Sequence, residues 1–498
     1  MPRRGIKRSR SVLFAASLAW PGWAIPARAD LVYFRGGFAI QAPTTIAGEH
    51  VVLTLPEGKA EFPRSFVLKV VPGFCPEVDW PLRLKQAGSE FKPRLDAVWW
   101  AIENGLALEV EPELRRLHEL DPAHPSTARM VKALDRLKRP TTDPEFERFQ
   151  HALGVECKVA RGSHVLLLHE HADEEAAERI ALLEQVITGY YLVFAAAGIE
   201  LVVPEQRLTS AWFAGQDDYL AFLRREDAAA FVTTRGYYHP TWKAVVTFDS
   251  RSTPDDQAHR ESLARRREEL TAARDRLKNA PPRSRIRFQI AGDRPRVVAR
   301  DEGERLLDQL DAEADLRATL LELDRRAIDL GTAAHEVTHQ LAVASGLAPR
   351  YDAFPRWLHE GLAAQFEVIR GGRWAGVSRA HDLRLPNWRH LATPPNLERL
   401  VRDGGFAHGY DRDHYAQAWA LVYFLRTQKP AQFLTFLDLL RAPPDLESST
   451  VPPPDRAVHA FERAFGGDMV ALRRDWVDFI DHVQTPLEQH APTEKGTH

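Results

Sequence analysis

The period of the apolar positions changes several times along the chain, and each change marks a boundary. Val51-Val52-Leu53-Thr54-Leu55 and Phe66-Val67-Leu68-Lys69-Val70-Val71 are β-rich runs broken by Pro and Gly, which predicts a small β module over residues 30–90. Steps of three and four then take over at Leu95, Val98, Trp99 and Ile102, predicting a helical segment over 91–155 with a turn at Asp121-Pro122. The outer face of that segment is expected to serve packing or, as the alternative, a protein partner. Over 156–250 the order is strand His164–His169, helix Glu174–Ala197, strand Leu208–Phe213, a helix from Asp217, and strand Ala244–Phe248. This predicts an α+β lobe, with Ala244–Phe248 as its edge strand, open to pairing with an extended peptide.

Residues 251–328 are highly charged, with Leu263, Leu270 and Leu277 seven apart. A narrow apolar seam of this kind predicts an exposed helical insertion, a lid or spacer, with a second helix near 301–324. The helical period returns at Leu330, Ala334, Val337, Leu341 and Ala344 and continues in helices near 355–369, 415–427, 430–440 and 457–483. Residues 329–485 therefore predict a helical lobe, and 486–498 a disordered tail. The expected architecture is α+β: a small mixed sheet lobe beside a helical lobe, preceded by the β module and the helical segment.

Composition narrows the function. The 498 residues carry a net charge of −3 and a pI near 6.7, which gives no electrostatic case for nucleic acid. Arg3, Arg4, Lys7, Arg8 and Arg10 precede an apolar run from Val12 to Trp23 and a small-x-small pattern, Ala27-Arg28-Ala29. Residues 1–29 thus read as a secretory signal peptide, so the mature protein is expected to be exported, periplasmic or extracellular, and soluble. No later stretch reads as a membrane span. Cys75 and Cys157 are the two cysteines, and the sequence leaves open whether they pair.

The chemistry centres on His335-Glu336-Val337-Thr338-His339. Two histidines four apart on a helix lie about 40° from each other around its axis and can share one metal ion. Glu336 flanks the same place, in position to take a proton from water at the metal. A catalytic zinc needs a third protein ligand from another segment. Glu360 and Glu367 share a stripe with Ala363 and Ala364, and those alanines let the second helix approach the first.

His335-Glu336-Val337-Thr338-His339-Gln340 followed by Trp357-Leu358, Glu360-Gly361-Leu362-Ala363 and Glu367 resembles the gluzincin zinc metallopeptidases, most closely the peptidase-MA-like family of exported bacterial proteins. The resemblance spans about Ser163 to Leu425. It implies a zincin-like fold with the zinc site between the sheet lobe and the helical lobe, zinc held by His335, His339 and Glu360, Glu336 as general base and later general acid, and Glu367 orienting a histidine ligand. It also implies an oxyanion-stabilising tyrosine, for which Tyr415 in Tyr415-Ala416-Gln417-Ala418 is the candidate, with Tyr410, His408 and His414 as alternatives. His359 stands where the aminopeptidases of the group carry Asn, and their G-x-M-E-N motif is absent, so exopeptidase action has no support. The expected function is zinc-dependent hydrolysis of a peptide or protein substrate. The alternatives are an inactive or structural zinc scaffold and a zinc amide hydrolase acting on non-peptide or cell-wall substrates.

Overall fold

The computed structural model describes residues 29–34, 39–55, 58–73, 75–281, 284–288, 296–350, 353–378, 380–404, 406, 411–442 and 453–489. The stretch read as a signal peptide lies outside these residues apart from Ala29, as do His408, Tyr410 and residues 490–498 of the expected tail. The fold is α+β. Its central sheet is mixed and runs Lys158–Arg161, Val165–His169, Leu208–Phe213, Ala244–Phe248, Gly236–His239. The middle three strands are parallel and every residue in them is buried, which explains why their sequences show no alternation of apolar and polar positions.

This order corrects the expected edge. Ala244–Phe248 is an interior strand, parallel to Leu208–Phe213 and antiparallel to Gly236–His239. The true edge, Gly236–His239, is four residues long and wholly buried, so it carries no alternation by which to find it.

A 45-residue helix, Arg300–Ala344, is the axis of the molecule. Two separate helices were expected, one in the insertion and one bearing the histidines. No Pro interrupts the stretch and its one early Gly is buried, so the ladder continues unbroken. Three bodies pack along it. Near its start Leu307, Leu310 and Ala314 meet Leu270, Ala273 and Leu277 of helix Pro254–Lys278, which starts at Pro254 and is capped by the Thr253 side chain. Next, Leu316, Leu320 and Leu323 pack beneath the N-terminal antiparallel sheet, against a cluster containing Phe34 and Phe62. The charged insertion is therefore a stalk that carries the β module. The last four turns enter the main core.

The N-terminal helices begin at Pro76, earlier than residue 91, because Pro76 opens a helix whose first turn also holds Glu77 and Asp79. Their inner face joins the core against helix Asp173–Ala197. That helix is long and apolar enough to cross a bilayer, contrary to expectation, but 72% of its most apolar window is buried inside the protein. After the axis come helices Arg356–Phe366, Arg412–Gln428, Pro430–Arg441, Pro453–Phe465 and Met469–Asp481. The last two were expected as one; Gly466, at φ +86°, and Gly467 separate them. A short helix, Pro486–Gln489, follows within the stretch expected to be disordered. Cys75 and Cys157 are both free thiols.

A buried charged cluster ties the axis to the sheet. Asp329 accepts hydrogen bonds from the Ser250 backbone N–H and hydroxyl, and Arg325 Nη1 lies 3.6 Å from Asp329 and 3.4 Å from Asp249. Arg179, 1% exposed, donates to Thr247 and stacks on Trp212. Burial and the neighbouring Asp249 charge push the Asp329 carboxyl up to about 6 against the pull of Ser250, Arg179 and Arg325. A carboxyl raised on folding binds its proton more tightly when folded, so its ionisation weakens the fold as pH rises from about 4 through 6. Asp329→Asn keeps the acceptor and removes the charge. Urea unfolding should find it more stable than the parent at pH 8, by on the order of 2 kcal/mol, with the difference vanishing near pH 4.

Candidate metal centre

The last turns of the axis helix point two imidazoles at one spot. His335 Nε2 and His339 Nε2 are 3.1 Å apart, and Glu360 Oε2 lies 3.0 Å from the first and 3.6 Å from the second. Among the described residues this trio is the one group of His, Cys, Asp or Glu side chains able to hold a metal ion together. Tetrahedral zinc with bonds near 2.0–2.1 Å places its ligand atoms roughly 3.3 Å apart, so the three separations fit a single ion. The expected ligand set is thus brought together from two helices, with Glu360 21 residues after His339 in sequence.

Close backbone contact makes that possible. A Cβ on Gly361 would lie 2.5 Å from the Ala418 carbonyl oxygen, so this residue lets helix Arg356–Phe366 press onto Arg412–Gln428. A Cβ on Gly331 would lie 2.9 Å from the Glu367 carbonyl oxygen, where the axis helix meets the end of the Glu360 helix. Asp403 fixes the other end of that helix, accepting from the Arg356 and Trp357 N–H groups at 2.9 and 3.0 Å. Gln340 anchors the axis to the sheet lobe by donating to the carbonyls of Thr209 and Lys243.

Glu367 sits at the C-cap of the Glu360 helix, just past the stripe expected to carry it, and accepts a hydrogen bond from His335 Nδ1 at 2.5 Å. With its proton on Nδ1, His335 turns the Nε2 lone pair toward the site, as a metal ligand requires. His381 and Arg384, which the sequence reading missed, complete the arrangement. His381 Nδ1 accepts from the backbone N–H groups of Leu383 and Arg384, so Nε2 carries the proton and donates to Glu367. Arg384 Nε donates to the same carboxylate at 2.8 Å. His381 lies in an irregular stretch and Arg384 opens the six-residue helix Arg384–Arg389, too short for a period to show; only the spacing of the two, three apart, offered a hint.

The electrostatics are those of a buried anionic site. Burial opposes charge on Glu367, but Arg384, His335 and His381 hold its carboxyl well below the usual range. Burial likewise opposes charge on His335, yet Glu367, Glu360 and Glu336 push its pKa up to about 10. Burial raises the Glu336 carboxyl; His335 and His339 counter this, and Glu360 and Glu367 reinforce it. The Tyr415 ring lies 6.5 Å from that of His335, between Phe406 and the Arg384 guanidinium, so the structure places it beside the cluster. His414 faces Asp411 at 2.9 Å. His359 packs between the rings of His339 and Phe354 and is outside the ligand trio.

Residues 329–445 match a family described as "Protein of unknown function (DUF1570)". The match begins at the buried Asp329 and contains every residue of the cluster. No curated protein and no solved structure matches the chain.

If Glu367 is held by its clamp in order to hold His335, loosening the clamp should loosen the metal. His381→Ala and Arg384→Ala should each lower zinc affinity about 10- to 100-fold, read by competition with a chromophoric chelator, while circular dichroism shows the helical content retained.

Proposed function

We propose that the chain is a zinc-dependent metallopeptidase of gluzincin type, which cleaves a peptide or protein substrate after export from the cytoplasm. The observation that carries this reading is the conjunction of three ligand atoms at the spacing of one zinc ion with a buried carboxylate, Glu336, adjoining them in sequence. A structural zinc site has no use for that carboxylate, which weighs against a scaffold. The matched family has no described activity, so the proposal rests on the residues themselves.

Zinc held by His335, His339 and Glu360 would supply Lewis acidity, polarising a carbonyl oxygen and making water acidic near neutral pH. Glu336 takes the proton of the attacking water on its carboxylate and returns it to the leaving amine nitrogen. Its burial raises its proton affinity above that of an ordinary glutamate, which suits a group that must both accept and release a proton near neutrality. Glu367 keeps the His335 ring in place through Nδ1. Tyr415 is assigned to the developing oxyanion, as a hydroxyl donor on the helical side of the site.

Glu336→Gln should lower kcat on a mixed peptide library by about a thousandfold while leaving one zinc per chain by metal analysis. Full activity in that variant would sink the mechanism. Tyr415→Phe should lower kcat about 10- to 100-fold with KM little changed, because the hydroxyl is assigned to the transition state alone.

A further inference from the structure

The stalk ends in an excess of positive charge that the packing of the fold does not use. Residues 276–300 hold eight Arg or Lys and one acid, Asp293, a net of +7 in a chain that sums to −3. Deeper in the stalk the charges pair across its two helices: Arg267 lies 2.8 Å from Asp315 and Arg274 lies 2.9 Å from Asp308. Of the seven acids from Asp301 to Asp315, all but Glu302 have an Arg within 3.8 Å. The acids nearest the tip are thus taken, whereas Arg276, Lys278, Arg285 and Arg287 are exposed and have no ion pair among the described residues.

The hairpin at the tip sets two of these side by side. Strand Arg285–Phe288 runs antiparallel to Arg296–Ala299, with Arg285 opposite Ala299 and Arg287 opposite Val297. Opposed residues and residues two apart share a face, so these four form one face. All four are exposed, Val297 by 53%. Val298, on the other face, is 5% exposed and joins the stalk cluster of Leu270, Leu277 and Leu307. Burial of Val298 therefore fixes the outward face, two guanidinium groups around an aliphatic side chain.

A guanidinium fork grips a phosphate through two parallel hydrogen bonds, and clusters of about four to eight Lys and Arg bind anionic bilayers. A single nucleic-acid strand is held instead in a groove whose aromatic rings stack its bases. Arginines around a valine on a protruding hairpin suit a plane of phosphate headgroups with hydrocarbon just beneath. From Arg300 to His335 the axis is one helix, so the tip stands roughly 50 Å from the ligand trio at 1.5 Å per residue. That is about five Debye lengths at 0.1 M salt, so charges around the trio do not cancel those at the tip.

We propose that the stalk tip docks on the surface of a bilayer containing anionic phospholipid. Arg285 and Arg287 donate to lipid phosphates, Arg276 and Lys278 add attraction, and Val297 enters the headgroup layer. The rest of the chain, at −10, is repelled by the same surface, so the molecule stands on its stalk and the axis helix sets the height of His335 and His339 above the membrane. This docking does not depend on the hydrolase reading.

The test is co-sedimentation of the full chain with vesicles of phosphatidylcholine alone or with about one-third phosphatidylglycerol. Binding should be at least tenfold tighter to the anionic vesicles and should be lost at about 0.5 M salt. The pair Arg285→Glu with Arg287→Glu should weaken it at least tenfold, and Arg276→Glu with Lys278→Glu decides the matter if the first pair fails to fold. Arg148→Glu with Arg224→Glu makes the same change of net charge at exposed positions outside the stalk and should leave binding unchanged. Equal binding to both kinds of vesicle, or equal loss in the tip and control variants, overturns the proposal. A single-stranded oligonucleotide that strips the protein from the vesicles at equal phosphate concentration also overturns it, in favour of nucleic acid.

Discussion

Burying carboxylates without leaving their charge uncompensated is the constraint around which this molecule is built. Glu336, Glu360 and Glu367 lie together with His335, His339, His381 and Arg384, all screened from solvent. With neutral imidazoles, these side chains sum to three negative charges and one positive. Isolated buried charges of that kind are costly, so the cluster has to take up positive charge, either as protons or as a cation. One divalent cation held between the two Nε2 atoms and Glu360 Oε2 would supply two such charges at once. The same sum explains the direction of the His335 shift: three carboxylates draw a proton onto a ring whose burial would otherwise expel it. The clamp on Glu367 then has a clear purpose. Arg384 and His381 keep it ionised, so that it accepts from His335 Nδ1 and leaves Nε2 facing the site.

That constraint demands rigid elements, and the architecture provides them by making one helix serve several bodies. The 45-residue axis leaves the solvent-exposed stalk, passes under the β module and ends in the core with both histidines on its final turns. At the junction between stalk and core sits the second buried charged cluster, Asp329 and Asp249 with Arg325 and Arg179. Asp329 is less than two turns before His335, so the axis is gripped on either side of the site, by that cluster and by the Gln340 bonds to the sheet. Displacing the β module would bend a helix whose other end positions two ligand atoms, and mechanical continuity of this kind is what a lid on a flexible linker lacks.

Much of this was legible in the sequence, and the illegible parts share a physical cause. His335, His339, Glu360 and Glu367 were found because a 3.6-residue period fixes which side chains share a face, and the site uses two such faces. The strands at 165–169, 208–213 and 244–248 were found because they are buried on both sides and rich in β-branched and aromatic residues. His381 and Asp403 escaped because they act from irregular segments, where the backbone path, and no period, decides what a side chain meets, and Arg384 because its helix is only six residues long. The continuity of the axis escaped because a change of composition, from charged stalk to apolar core, was read as a change of element. Composition follows what a helix touches; only Pro, Gly and caps end it, and none stands between 301 and 344 in a position to do so.

The helix Arg356–Phe366 shows how far face-sharing reaches. Its Glu360 completes the candidate ligand trio, its glycine lets Arg412–Gln428 pack directly upon it, and Leu362 and Phe366 on its remaining stripe wall an apolar cavity together with Phe194 and Phe433. An 11-residue helix with three engaged faces has no direction left in which to relax. Phe366 also stacks on Trp374, so packing on this face continues past Glu367, and because interiors compress little a helix held on three faces keeps the Glu360 carboxylate fixed in front of His335 and His339.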